Sequence, residues 1–408
     1  MVYKSKFMKI KISKEILIIS ALCVGFATGF FINQRLNEKL YTDLYTQDTI
    51  NFSLLGEAWR KINENFVFED KIDSEAMVYG AVKGFVASLG DPYTSFFDPE
   101  EAEIFQKDME GTFEGVGIQL AKKDGKVKVI SPIKNTPAEK AGIRAGDVIE
   151  KIDDESIDNI EIDKVVEKIR GEAGTTVKLT INRDNEEKVF DLKRATIKVP
   201  NSELKFITGN NGEKIAQLSI FQFSETTSRD VKVEVNRILN ESNVEAIILD
   251  LRNNPGGLVS EAKNVASLFL EKDLPIVKEC DKKEDCTWLK SDGPGKLANY
   301  PLVILINEGS ASAAEILTGA LEANLDNVTL VGNTSFGKGL VQRVIYLDDG
   351  SILKVTTEKW YTPRGELIHE IGIEPDVKVE KTAEDYENNL DPQLQKAIEL
   401  IDNKDLNY

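Results

Sequence analysis

Two apolar runs, one of them interrupted only at Asp250, constrain this chain more than any other feature. Residues 246–251 read AIILDL and residues 302–306 read LVILI. Short strands this apolar belong in a sheet covered on both faces, not in an open one with alternating sides. The first run leads into Arg252-Asn253-Asn254-Pro255-Gly256-Gly257 and a helix predicted over 261–270. The second leads into Asn307-Glu308-Gly309-Ser310-Ala311-Ser312-Ala313-Ala314-Glu315 and a helix predicted through Ala323. Further strands are predicted at 329–332 and 341–347. Strand, loop and helix in repetition predict a layered α/β core over residues 196–380.

A serine where a strand passes into a helix is placed for nucleophilic chemistry. Small neighbours let a substrate approach, and the helix start offers free N–H groups to a developing oxyanion. The competing reading is a helix cap, and for Ser310 or Ser312 taken alone it is the stronger one. A serine nucleophile also needs a base. His369 is the only histidine of the chain; Lys338, between Gly337 and Gly339, is the alternative. Burial favours the neutral amine and can shift a lysine by about 3–5 pKa units. Residue types alone leave both bases open.

Composition removes other chemistries. One histidine excludes zinc sites that need two, and three cysteines cannot build a Cys₄ centre. The net charge of −18 argues against nucleic-acid binding, which needs a basic face. With 41% hydrophobic and 29% charged residues in 408, the chain has material for two or three folded units.

The amino terminus reads as an address. Lys4, Lys6, Lys9, Lys11 and Lys14 precede an apolar run over residues 16–33 that is free of charge. A cationic flank of this kind stays in the cytoplasm, so the remainder is expected outside it. No small-x-small site follows the run, which favours an uncleaved anchor over a signal peptide. Cys23, preceded by Leu22, reads as a membrane-facing residue, and Gly25 and Gly29 form a weak GxxxG helix-pairing signal. Without residues 1–15 the chain carries −22, so the anchor and not the surface would hold it at anionic lipid. Cys280 and Cys286 fall in a polar loop where an exported protein can form a disulfide.

Residues 34–108 form an expected helical region. Leu54, Leu55, Ala58, Ile62 and Phe66 have helical spacing, as do apolar positions within 76–89 and a short segment at 100–107. This region reads as a packing or dimerisation layer without chemistry. Residues 109–195 change character: short strands at 113–118, 126–131, 146–149, 174–182 and 188–192, and helices at 137–141 and 162–169. That predicts a small β-rich barrel. It resembles a PDZ domain in its Gly115-Val116-Gly117-Ile118 loop, its Ala141-Gly142-Ile143-Arg144-Ala145-Gly146-Asp147 turn and its helix ending Ile169-Arg170-Gly171. PDZ domains add a peptide strand to a sheet edge and hold its carboxylate on backbone N–H groups. The final 381–408 segment reads as an acidic tail with a helix near 391–401 that packs on the core or on a second subunit.

The order DLRNNPGG, GSASAAEI, FGKGLVQ, after a PDZ-like unit, resembles the carboxyl-terminal processing peptidases, or tail-specific proteases, over about 54–379. The resemblance implies an α/β protease core of the ClpP/crotonase kind with an inserted PDZ domain, flanking helices and one preceding transmembrane helix. It implies Ser312 as nucleophile, Lys338 as general base and Gln342 as the residue that orients the lysine. Ala313 and a glycine of the Gly256-Gly257 pair, Gly257 preferred, match the oxyanion hole. Gly115, Val116, Gly117 and Ile118 match the peptide-binding loop, and Arg170 matches an arginine that couples tail binding to the active site. The 323–329 loop is one residue longer than the family pattern. His369 then becomes an ordinary loop residue. No cofactor or metal is implied. The expected partners are proteins with apolar carboxyl-terminal tails and a second copy of the chain. The rivals are a PDZ scaffold on an inactive or partner-activated protease fold, and a glycosidase with paired carboxylates, for which 69 acidic residues carry no signal.

Overall fold

The buried strands expected from the apolar runs form the centre of a six-stranded sheet. The structure, a computed structural model, describes residues 52–404 except positions 124, 134, 145, 159, 161, 184, 199, 383, 386, 387 and 389. Sheet order is Ser202–Thr208, Lys214–Ile220, Val244–Asp250, Leu302–Ile306, Val328–Gly332 and Val377–Lys378. The first pair is antiparallel and every later pair is parallel. Side chains alternate between two cores. Ile247, Leu249, Leu302 and Ile304 face a core that includes residues of helices Thr227–Asn240, Val259–Phe269 and Ala313–Asn324. Ala246, Ile248, Val303 and Leu305 face Ala397, Leu400 and Ile401 of helix Pro392–Asn403. The tail helix therefore packs on the core. Each fully buried Leu or Ile contributes roughly 1.5–3 kcal/mol.

A second, antiparallel sheet stands beside the first. Its order is Ser95–Phe97, Ile352–Tyr361, Pro275–Asp281, Cys286–Lys290, with Leu340–Tyr346 also paired to Ile352–Tyr361. The polar loop expected around the cysteines is instead a hairpin, in which Cys280 lies opposite Cys286 and is bonded to it. Alternation in that hairpin is interrupted by charged residues, which hid the strands from a hydropathy reading.

Residues 112–198 form the inserted β-rich unit with its own apolar core, including Val129, Ile149, Val165, Leu179 and Ile181. Its sheet order is Ile118–Lys123, Lys126–Pro132, Val148–Ile152, Thr176–Arg183, Glu186–Lys193. The single strand expected at 113–118 is two: Thr112–Gly115 pairs with Ala195–Lys198, and a break at Val116-Gly117 precedes Ile118–Lys123. The first pair ties the insert's entry to its exit.

The chain divides into two units, residues 1–77 and 78–408. In the first, helix Ser53–Asn65 leaves Leu54, Leu55 and Phe66 beside it exposed. No helix among the described residues is long and apolar enough to cross a membrane; residues 1–15, the expected anchor at 16–33, Cys23, Gly25 and Gly29 lie outside them. In the second unit, helix Pro99–Met109 starts with a full capping box. The Asp98 carboxylate accepts from Glu101 N–H at 3.0 Å, and the Glu101 carboxylate accepts from Asp98 N–H at 3.1 Å.

Candidate active site

The two serines of the Ser-Ala-Ser run have different work. Ser310 is fully buried; its hydroxyl donates to Leu251 O at 2.9 Å and accepts from Asn307 N–H at 3.0 Å. That hydroxyl is spent on holding the turn. Ser312 instead borders a cavity of about 360 Å³ and stands at φ +52°, a strained value for a side-chain-bearing residue. The helix Ala313–Asn324 begins directly after it.

The Pro255-Gly256-Gly257 turn is pressed against this serine. A Cβ on Gly256 would lie 2.7 Å from Ala311 O, 2.8 Å from Ser312 Cβ and 2.9 Å from Ala313 N. Asn254 holds the turn: its amide donates to Ile220 O at 2.8 Å and its Oδ1 accepts from Gly256 N–H at 2.9 Å. The Gly256 N–H is therefore occupied. Gly257 lies alongside Phe223, and Leu258 N–H donates to Phe223 O at 2.8 Å. Among the described residues, the N–H groups of Gly257 and Ala313 donate to nothing.

Glu315 joins the serine turn to the lysine turn. Its buried carboxylate accepts from Ser312 N–H at 2.7 Å, Ser335 Oγ at 2.6 Å, Gly337 N–H at 2.7 Å and Lys338 N–H at 3.0 Å. Burial pushes this carboxyl above the ordinary glutamate range, and the four donors act against that shift. In the sequence, Glu315 stands three residues after Ser312 in the first turn of the helix, where a carboxylate complements the helix dipole, and that position says nothing of a brace. Its bracing role depends on Ser335 and Gly337, twenty or more residues away, and no local signal announces it.

Lys338 and Gln342 border the same cavity as Ser312 and Gly257. Burial, with the charge of Lys354, holds the Lys338 amine below the usual lysine range, while Asp91 and Glu315 oppose the shift. Its Nζ stands 4.9 Å from the centre of the Tyr93 ring. Gln342 donates to Thr356 Oγ1 at 3.3 Å. Among the described residues no hydrogen bond joins the Ser312 hydroxyl, the Lys338 amine and the Gln342 amide. His369 does not border the cavity; it packs on the other residue of its ring pair, Tyr93, at 6.3 Å between centroids.

Residues 91–108, in the region expected to carry no chemistry, supply part of this cavity's surroundings. Tyr93 lies against Lys338, and Phe105 and Asp108 line the cavity. The signal was present as Gly90-Asp91-Pro92, which reads as a turn and says nothing of what the turn faces. In the inserted unit, Ile118–Lys123 is an edge strand preceded by Gly115, Val116 and Gly117. Gly117 has φ +81°, and a Cβ there would lie 2.4 Å from Thr136 Cβ. Among the described residues the N–H groups of Val116 and Gly117 donate to nothing. Arg170 donates to both Asp108 carboxylate oxygens, at 3.3 and 3.2 Å, and its guanidinium stands 5.3 Å from the Phe113 ring centre. A contact thus runs from the insert through Asp108 to the cavity wall.

Similarity to known proteins follows the same division. Residues 214–379 match peptidase family S41, residues 128–183 match a PDZ domain, and residues 29–101 match the N-terminal domain of the activating protease CtpB. The chain is 40% identical over 332 residues to the carboxy-terminal processing protease CtpA of Bacillus subtilis (strain 168), covering 81% of this chain and 69% of that protein. It is 37% identical over 351 residues to a "Probable CtpA-like serine protease" of Staphylococcus aureus (strain MSSA476), covering 86% and 68%. Among solved structures, the photosystem II D1 C-terminal processing protease aligns with a TM-score of 0.54 at 28% identity, over 81% of this chain and 94% of that one.

Proposed function

This chain belongs to peptidase family S41 and is a serine-type carboxyl-terminal processing peptidase, and from that premise we propose that Ser312 is its nucleophile and Lys338 its general base. The observation that carries this is the sharing of one cavity by Ser312, the depressed Lys338 amine and the unspent N–H of Gly257. The neutral Lys338 amine takes the Ser312 proton as Oγ attacks the scissile carbonyl. The N–H groups of Gly257 and Ala313 hold the oxyanion, and Gly256 is set aside because Asn254 occupies its N–H. Lysine then gives the proton to the leaving amine, and water releases the acyl group. In the arrangement described, Lys338 rests on Tyr93, so the productive step begins with its side chain turning onto Ser312 and Gln342 reorienting to hold it.

The substrates proposed are proteins with apolar carboxyl-terminal tails, laid along the Ile118–Lys123 edge with the carboxylate on the Val116 and Gly117 N–H groups. Arg170 relays occupancy through Asp108. Residues 16–33 anchor the enzyme and place its catalytic part outside the cytoplasm, in keeping with the Cys280–Cys286 disulfide. The exposed apolar side chains of helix Ser53–Asn65 are the proposed seat of a homodimer contact.

A second reading, a scaffold that requires a partner for activation, draws on the unjoined Ser312 and Lys338. The test is incubation of the full chain with an unfolded protein that ends in an apolar tail, beside Ser312→Ala and Lys338→Ala. Cleavage by the wild type alone supports the Ser/Lys assignment. No cleavage, with no labelling by a serine-directed acylating probe, favours the scaffold.

A further inference from the structure

Lys354 is a second lysine of the same cavity, and neither the family resemblance nor the proposed mechanism gives it a role. It lies on strand Ile352–Tyr361, opposite Val344 on one side and Ser95 on the other. Its side chain is half-buried and borders the cavity together with Ser312, Lys338 and Gln342. Its ammonium stands 5.5 Å from the Phe97 ring centre and 6.0 Å from that of Phe105, and the two rings stack at 5.0 Å.

Among the described residues no carboxylate is paired with it. In a chain with 69 acidic residues, an unpaired cation drawn out of water is costly, and the aromatic faces offset only part of that cost. The nearby carboxylates are engaged elsewhere. Asp108, on the cavity wall, pairs with Arg170 at 3.2 Å. Glu315 takes four donors from the serine and lysine turns. Asp91 accepts from Tyr93 N–H at 3.0 Å and Thr94 Oγ1 at 2.6 Å. One short stretch, residues 91–97, thereby supplies the ring under each lysine and the one carboxylate that acts on both. His369 faces this group from beyond Tyr93 and shares the field of Asp91.

We propose that Lys354 is a positioning residue for catalysis: its ammonium, fixed on the Phe97–Phe105 pair, opposes a second positive charge in the cavity and so keeps Lys338 in the neutral form a base requires. This rests on the reading of Lys338 as base. The physical device is a lysine beside another cation in a partly dry pocket. Its sign is definite. Removing the Lys354 charge favours protonated Lys338, so the acid limb of activity moves to higher pH. Removing the Asp91 charge moves it to lower pH.

The experiment is kcat/KM against pH on the full chain for the wild type, Lys354→Met, Lys354→Arg and Asp91→Asn. Lys354→Met is expected to lose about three- to tenfold at neutral pH and to regain the wild-type rate at alkaline pH. Lys354→Arg should keep the wild-type profile, and Asp91→Asn, which retains an acceptor for its turn, should shift the limb the opposite way. If Lys354→Met does not fold, Lys354→Gln provides the same readout. An equal loss at every pH, or a raised KM with an unmoved limb, overturns the proposal; the latter makes Lys354 a contact for a substrate carboxylate. Lys338→Ala measured alongside separates the two claims: an active Lys338→Ala defeats the base assignment itself, whereas an inactive one with an unmoved Lys354→Met limb defeats only this inference.

Discussion

Ser312 follows Leu302–Ile306, a strand in which every residue is buried, whereas Lys338 precedes Leu340–Tyr346, whose side chains are all half-buried or exposed. The two sheets differ accordingly. The parallel one is packed on both faces and sets the serine, its glycine turn and its helix by contact, with little freedom left. The antiparallel one presents charged and aromatic side chains to a cavity. There the state of a lysine is decided by burial and by its neighbours' charges. Geometry on one side and electrostatics on the other imply different responses to substitution.

The largest effect should come on the packed side. Gly256→Ala puts a methyl group within 2.7–2.9 Å of Ala311 O, Ser312 Cβ and Ala313 N, at φ +95°. A displacement of the serine by even about 1 Å costs roughly a hundredfold, so kcat is expected to fall at least that far. Single-turnover cleavage, with thermal melting as the folding control, would show it; near-normal kcat would mean the serine turn is softer than its packing implies.

Glu315→Gln tests the brace between the two sides. All four of its partners are donors, and an amide places its own NH₂ against some of them. A buried group left facing donors in this way costs about 1–3 kcal/mol. Urea unfolding should record that loss, together with a fall in kcat, because the serine and lysine turns lose their common tether. Stability lost with kcat intact would show that Glu315 serves only folding.

Smaller effects are expected farther out. Arg170→Ala removes an exposed ion pair worth at most about 1 kcal/mol, so the melting temperature should hardly change. What should shrink, several-fold, is the ratio of cleavage rates for one peptide with a free and with an amidated carboxyl terminus. A ratio unchanged from wild type would remove Arg170 from the relay. His369→Ala should do least and retain cleavage. Activity reduced to the level of Lys338→Ala would return the histidine to the list of bases.

The architecture was readable wherever hydrophobic pattern and turn residues agree. The runs at 246–251 and 302–306 are strands and the helices expected after them follow, because burial on both faces demands nearly continuous apolar residues. The strand Ile352–Tyr361 and the cysteine hairpin escaped because antiparallel strands beside a cavity carry Lys, Thr and Glu and lose their alternation.

Residue type and place alone offered Ser310 or Ser312 as nucleophile and Lys338 or His369 as base; the choice of Ser312, Lys338, Gln342 and the Gly256-Gly257 pair came from the resemblance, whose motifs are each local in the chain. Tertiary structure decided what no local pattern holds. It spent the Ser310 hydroxyl on Leu251 and left Ser312 at the cavity, and it occupied the Gly256 N–H while, among the described residues, that of Gly257 donates to nothing. It brought Tyr93, Phe97 and Phe105 under two lysines more than two hundred residues away. The reason is physical. A residue type states which bonds a group can make, but the partners that use them up, and the charges that set an amine's protonation, arrive only when distant segments are packed together.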